Sequence, residues 1–134
     1  MNSYKKEDSE RKFSLIDRLK SFRSALSGLI ALFKYEHNAR IHLFILILVI
    51  AAGVFLRISP FEWIAVIFVT GLVFASECFN TAVENLSDVI SPGQDDKIKT
   101  AKDVAAAGVL ISAAAAVVTG IIIFLPKIIR LIAG

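Results

Sequence analysis

The chain has 134 residues, of which 56% are hydrophobic and 20% charged, with a mean hydropathy of +0.69, a balance too apolar for an ordinary water-soluble domain. Its length allows one domain, and its single cysteine, Cys78, excludes an internal disulfide. The net charge of +3 hides an asymmetry, because nine of the fifteen Lys and Arg precede Ile41; that bias points to orientation in a membrane and away from nucleic-acid binding.

Residues 1–14, opening with MNSYKKEDSERK, read as a disordered polar tail. Residues 15–134 read as a single membrane-embedded domain. With no apolar core near the start, no cleavable signal peptide is expected. From Leu15 to Phe33 the apolar residues Leu15, Ile16, Leu19, Phe22, Leu26, Leu29, Ile30 and Phe33 recur at helical spacing, with Lys20, Arg23 and Ser27 between them. This pattern predicts an amphipathic helix on the membrane surface.

Three spans follow. The first, at about 41–57, carries IHLFILILVIAAGVFL between Arg40 and Arg57, whose long side chains can snorkel to the two interfaces. The second, at about 61–80, begins after Pro60 with Trp63 at an interfacial depth. The third, at about 104–125, holds no charge and is expected to close at Pro126. The chain is thus predicted to be an all-α, multi-pass membrane protein. The positive-inside rule places the N-terminus and the loop bearing Lys97, Lys99 and Lys102 in the cytoplasm. In the third span Gly108, Ser112, Ala116 and Gly120 stand four apart, a column that suits close packing either against the chain's own spans or against another subunit.

The second helix need not stop at the membrane. No strong breaker interrupts Phe61 to Ile90 before the SPG that ends the run, and at about 1.5 Å per residue the helix reaches roughly 45 Å, longer than the hydrocarbon core. Within it, the stretch ECFNTAVENLSD places Glu77, Asn80, Glu84 and Asp88 on one face, starting at the inner membrane boundary. An ionisable group at the depth of Glu77 is costly unless it is used; for Asp88 a solvated helix end explains the charge equally well. Glu36, just before the first span, and Lys102 with Asp103, at the start of the third, reach the same level. Two facing glutamates suit Mg²⁺, which leaves its other positions to phosphate oxygens and water. A lysine and an asparagine can hold phosphates, and a carboxylate at the lipid boundary can accept a proton from an alcohol.

The motif ECFNTAVENLSD, the TAKD at the next span and ALSGLIALFKYEHNARIH before the first resemble the small prokaryotic diacylglycerol kinase family, across nearly all of the chain after about residue 18. Within that family, RIH, SPFEW and TGIIIFLPKI look more like the undecaprenol kinase branch than the diacylglycerol kinase branch. The resemblance implies a homotrimer of three-span subunits that passes the γ-phosphoryl group of ATP, with Mg²⁺, to a membrane lipid alcohol at sites shared between protomers. It implies Glu77 as general base, Glu36 and Glu84 as metal ligands, and Asn80 as a polar contact in the same site. Lys102 and Asp103 would contact nucleotide phosphates or orient the site, with Asp88 beside the nucleotide. Ser24 replaces an aromatic or histidine that many relatives carry near the adenine, and His42 stands where the diacylglycerol branch has an acidic residue.

The sequence carries neither a G-x-x-x-x-G-K-[ST] loop nor a kinase-type glycine loop. A small proton-coupled transporter subunit would need polar residues through the midplane, where only Thr70, Ser112 and Thr119 occur. A non-enzymatic helical adaptor gives no reason for glutamates on several helices at one depth. Undecaprenol is the favoured acceptor and diacylglycerol the alternative.

Overall fold

The computed structural model describes residues 14–90 and 95–134 as four helices. They are α1 (Leu15–Tyr35), α2 (His37–Phe55), α3 (Pro60–Ile90) and α4 (Asp96–Ala133). Among the described residues there is no strand, and α2, α3 and α4 are each long and apolar enough to cross a membrane. The polar tail, apart from Ser14, and the SPG stop lie outside the described residues.

Local chemistry sets each helix boundary. Ser14 caps α1 by accepting from the Asp17 N–H at 3.4 Å. Glu36 then breaks the chain direction: extended at φ −93° and ψ 120°, it is both the C-cap of α1 and the N-cap of α2, and its carboxylate makes no capping bond.

The link between α2 and α3 is fully bonded. The Arg57 N–H donates to Val54 O at 3.3 Å and the Ile58 N–H to Gly53 O at 3.1 Å, the reciprocal pair of a Schellman ending. Arg57 takes the left-handed position at φ 49°, where glycine is usual. Ser59 and Glu62 then form a capping box: the Ser59 N–H donates to Glu62 Oε2 at 2.6 Å and the Glu62 N–H to Ser59 Oγ at 3.3 Å. Pro60 fills the first helical position, where its missing N–H costs nothing.

Asp95 caps α4, accepting from the N–H groups of Lys97 and Ile98 at 2.8 and 3.1 Å. The expected closure at Pro126 is corrected here, since α4 runs through that residue to Ala133. A proline leaves one carbonyl of the preceding turn without its donor, which is tolerated in membrane helices when neighbouring structure holds the segment. Lys127 does so, reaching Glu62 of α3 at 3.2 Å.

Packing is uneven. The buried core is small, with Ile58, Val66 and Ile123 at its centre and Val49, Trp63 and Phe124 against them. At Gly53 a Cβ would stand 2.8 Å from the Trp63 ring, so α2 presses on α3 through a glycine. Of the most apolar window in each span, between 11% and 17% is buried, so lipid or further protein must cover the rest. The small-residue column of α4 divides accordingly. Ser112 is buried, Ala116 and Gly120 face a cavity among the spans, and Gly108 has open space around it.

Candidate active site

The polar stripe on α3 is where the helix turns inward. Glu77 is 2% exposed and Asn80 8%, although both lie in a chain whose apolar side chains are mostly uncovered. The Asn80 Nδ2 donates to Glu84 Oε1 at 3.0 Å, one turn along the same face. From α2, His42 Nε2 comes within 3.2 Å of Glu77 Oε1. Apart from that contact Glu77 Oε1 has no partner among the described residues, and neither Asn80 Oδ1 nor Thr81 Oγ1 has a hydrogen-bond partner there. Three such atoms within five residues of one helix mark a place built for a group from outside the chain. Glu36 and Glu84 both lie close enough to act on the Glu77 charge, so α1, α2 and α3 all contribute to this spot.

Two hollows meet the cluster. On the membrane side an apolar cavity of about 230 Å³ is walled by Ile45, Val49, Val66, Val73 and Phe124, with His42 at its polar end. Between α1 and α3 a groove of about 490 Å³ is lined by Gly28, Glu36, Cys78, Thr81 and Asn85. The Phe33 and Phe74 rings, edge to face at 5.6 Å, hold α1 against α3.

The remaining predicted residues are placed differently. Lys102 Nζ donates to Asp88 Oδ1 at 2.9 Å, joining α4 to α3. This partner holds the Lys102 ammonium above the usual lysine range, so the group, which precedes the apolar stretch of α4, stays charged at neutral pH. Asp103 is exposed, with no bonded partner among the described residues. Ser24 is exposed on α1, its hydroxyl donating to Lys20 O at 3.1 Å, and makes no contact with the Glu77 cluster. His42 is a site residue that the motif reading left out. Its signal was an imidazole inside an otherwise apolar run.

For Mg²⁺ the donor chemistry fits. Glu36 and Glu84 are half-buried, and the Glu36 carboxylate is spared from capping. Among the described residues no three potential ligands gather into a group that could hold a metal ion, and Mg²⁺ takes one or two carboxylates with phosphate oxygens and water in its other positions.

A profile of the family described as prokaryotic diacylglycerol kinase matches residues 23–124. The chain is 33% identical over 109 residues to the undecaprenol kinase of Bacillus subtilis (strain 168), covering 81% of this chain and 89% of the relative. It is 35% identical over 114 residues to a diacylglycerol kinase of Synechocystis sp., covering 84% of this chain and 65% of the relative. The buried glutamate, the stripe above it, the first two spans and most of the third fall in the matched region, and the chain belongs to the prokaryotic diacylglycerol kinase family.

Proposed function

We propose that the protein transfers the γ-phosphoryl group of ATP to the hydroxyl of a membrane lipid alcohol, with undecaprenol preferred to diacylglycerol. The observation that carries this reading is Glu77, a buried carboxylate met by His42, which stands at the polar end of the apolar cavity, and placed at the start of the polar stripe. Family membership supports the reaction class, a phosphotransferase with an alcohol acceptor. The match along 89% of a relative named undecaprenol kinase supports the acceptor.

In this reading the lipid tail enters the apolar cavity and its hydroxyl stops at Glu77. Glu77 takes the hydroxyl proton while the oxygen attacks the γ-phosphorus; the new O–P bond forms as the bond to the β-phosphate oxygen breaks and ADP leaves. His42 holds the Glu77 carboxylate in place, and Asn80 fixes Glu84. Lys102, charged at neutral pH, is drawn from Asp88 to the phosphate oxygens. Glu36 and Glu84 would hold Mg²⁺, which when bound would neutralise charge on the triphosphate. Catalysis is then mainly positioning of two substrates that meet at one depth.

The acidic end lies on the cytoplasmic side of the bacterial inner membrane, where ATP is available. Three copies form a homotrimer with shared sites, so that Ser24 and Asp103, which do not reach Glu77 in their own chain, serve a neighbour's nucleotide. The test is γ-phosphate transfer from Mg·ATP by purified protein in mixed micelles, with undecaprenol and diacylglycerol offered in parallel. Faster transfer to undecaprenol is expected. Faster transfer to diacylglycerol would overturn the acceptor, and transfer to neither by folded protein would overturn the reaction.

A further inference from the structure

At the other end of the bundle two irregularities converge on one hollow. Arg57 sits in the left-handed region at φ 49°, where a glycine would be free of the roughly 1–2 kcal/mol that an L side chain costs. The helix α4 continues through Pro126, and only because it does are Lys127 and Arg130 carried beside the end of α2. Together with Phe55, Leu56 and Leu131 these three cations line a shallow, open surface hollow. Backbone strain kept at a concave site is a pointer to use rather than to accident.

The charges there are unbalanced. Lys127 is matched by Glu62 at 3.2 Å, and both are about a quarter exposed. Arg57 and Arg130 have no carboxylate partner among the described residues. A snorkelling cation needs only a route to water. Here, instead, two guanidinium groups and an ammonium border the same hollow, with apolar side chains on its flank. Guanidinium forks match phosphate oxygens in pairs, while Phe55 and Leu131 offer a surface that suits hydrocarbon.

From these observations we infer that Arg57, Lys127 and Arg130 form a binding site for the phosphate of an anionic phospholipid. The site is separate from the Glu77 cluster. Fifteen residues of α3 divide Glu62 from Glu77, a rise of about 22 Å, so the bound headgroup belongs to the opposite leaflet and is neither substrate nor product of the reaction proposed above. The ligand couples the α2 end to the α4 end, which no direct bond between them does among the described residues.

The full chain is placed in nanodiscs of phosphatidylcholine containing phosphatidylglycerol, and lipids retained after release are counted by native mass spectrometry. Wild-type protein is expected to retain phosphatidylglycerol in preference to phosphatidylcholine, and Arg57→Gln/Arg130→Gln to lower that retention about tenfold, the scale of a lost charge-assisted pair. Phosphoryl transfer in mixed micelles serves as the check on folding. Should the double variant not fold, Arg57→Gly, which relieves the backbone while removing one guanidinium, gives the same readout. Equal retention of the two lipids by wild type, or undiminished retention by a folded variant, would overturn the site. A parallel arm adds inorganic phosphate: if it shifts the thermal midpoint of wild type but not of the variant, while phosphatidylglycerol does neither, the lipid assignment fails in favour of free phosphate.

Discussion

The two ends of the bundle solve the same problem in opposite ways. At the α2–α3 turn the reciprocal Schellman bonds, the Ser59–Glu62 box and the Lys127–Glu62 pair occupy the backbone donors and the Glu62 carboxylate, and among the described residues only the guanidinium groups of Arg57 and Arg130 are left over there. At the Glu77 end, buried oxygens of Glu77, Asn80 and Thr81 are left without a hydrogen bond. Each such buried group costs roughly 1–3 kcal/mol, so a chain able to bond the backbone of its turn but not these oxygens has spent stability where a substrate is due. The contrast teaches that the turn holds the spans together and the stripe waits for substrates.

The largest expected effect falls on the unfinished end. Glu77→Gln should lower phosphoryl transfer by about 10²–10⁴, the range for loss of a general base, while the thermal midpoint in detergent stays level or rises. A parallel fall in both would make Glu77 structural and erase the contrast. At the finished end the sign reverses: Gly53→Ala drives a Cβ into the Trp63 ring and should destabilise by about 1–3 kcal/mol, read as a lower midpoint with the acceptor preference unchanged.

Smaller changes sharpen the comparison. Ser59→Ala removes the capping oxygen and should cost about 1 kcal/mol. Thr81→Val removes a buried hydroxyl that has no partner, and should stabilise by about 1 kcal/mol; destabilisation would mean that the hydroxyl is satisfied after all. The smallest effect is expected from Asp88→Asn. Because the Lys102 pKa is raised, its pairing with Asp88 is present at neutral pH and below the ordinary lysine range, and is lost as pH rises through the raised value. The substitution should return the Lys102 titration, followed by nitrogen NMR, toward the ordinary range. The thermal midpoint should not change measurably.

Much of this was legible before any coordinates. Uninterrupted helical spacing predicts α1 and the long α3 to within a few residues of Leu15–Tyr35 and Pro60–Ile90, and the stripe spacing correctly puts Asn80 and Glu84 one turn apart on one face. Pro126 misleads because proline reports a missing donor and cannot report that Lys127, one residue on, anchors the helix to Glu62. The pairing of His42 with Glu77 was equally hidden, since it depends on how α2 and α3 rotate against each other. Glu36 could be placed at the right level, but its role as the joint between two helices could not.

The contacts between helices in the described residues lie chiefly between α3 and α4, while α1 and α2 meet their neighbours at far fewer points. In biosynthetic terms, α4, on which most of the interface depends, leaves the ribosome after its partner α3. Chains halted before Asp96 would hold Glu77 and its stripe without the partner helix that covers their flank, so the membrane insertion machinery would have to shelter α3 until α4 arrives.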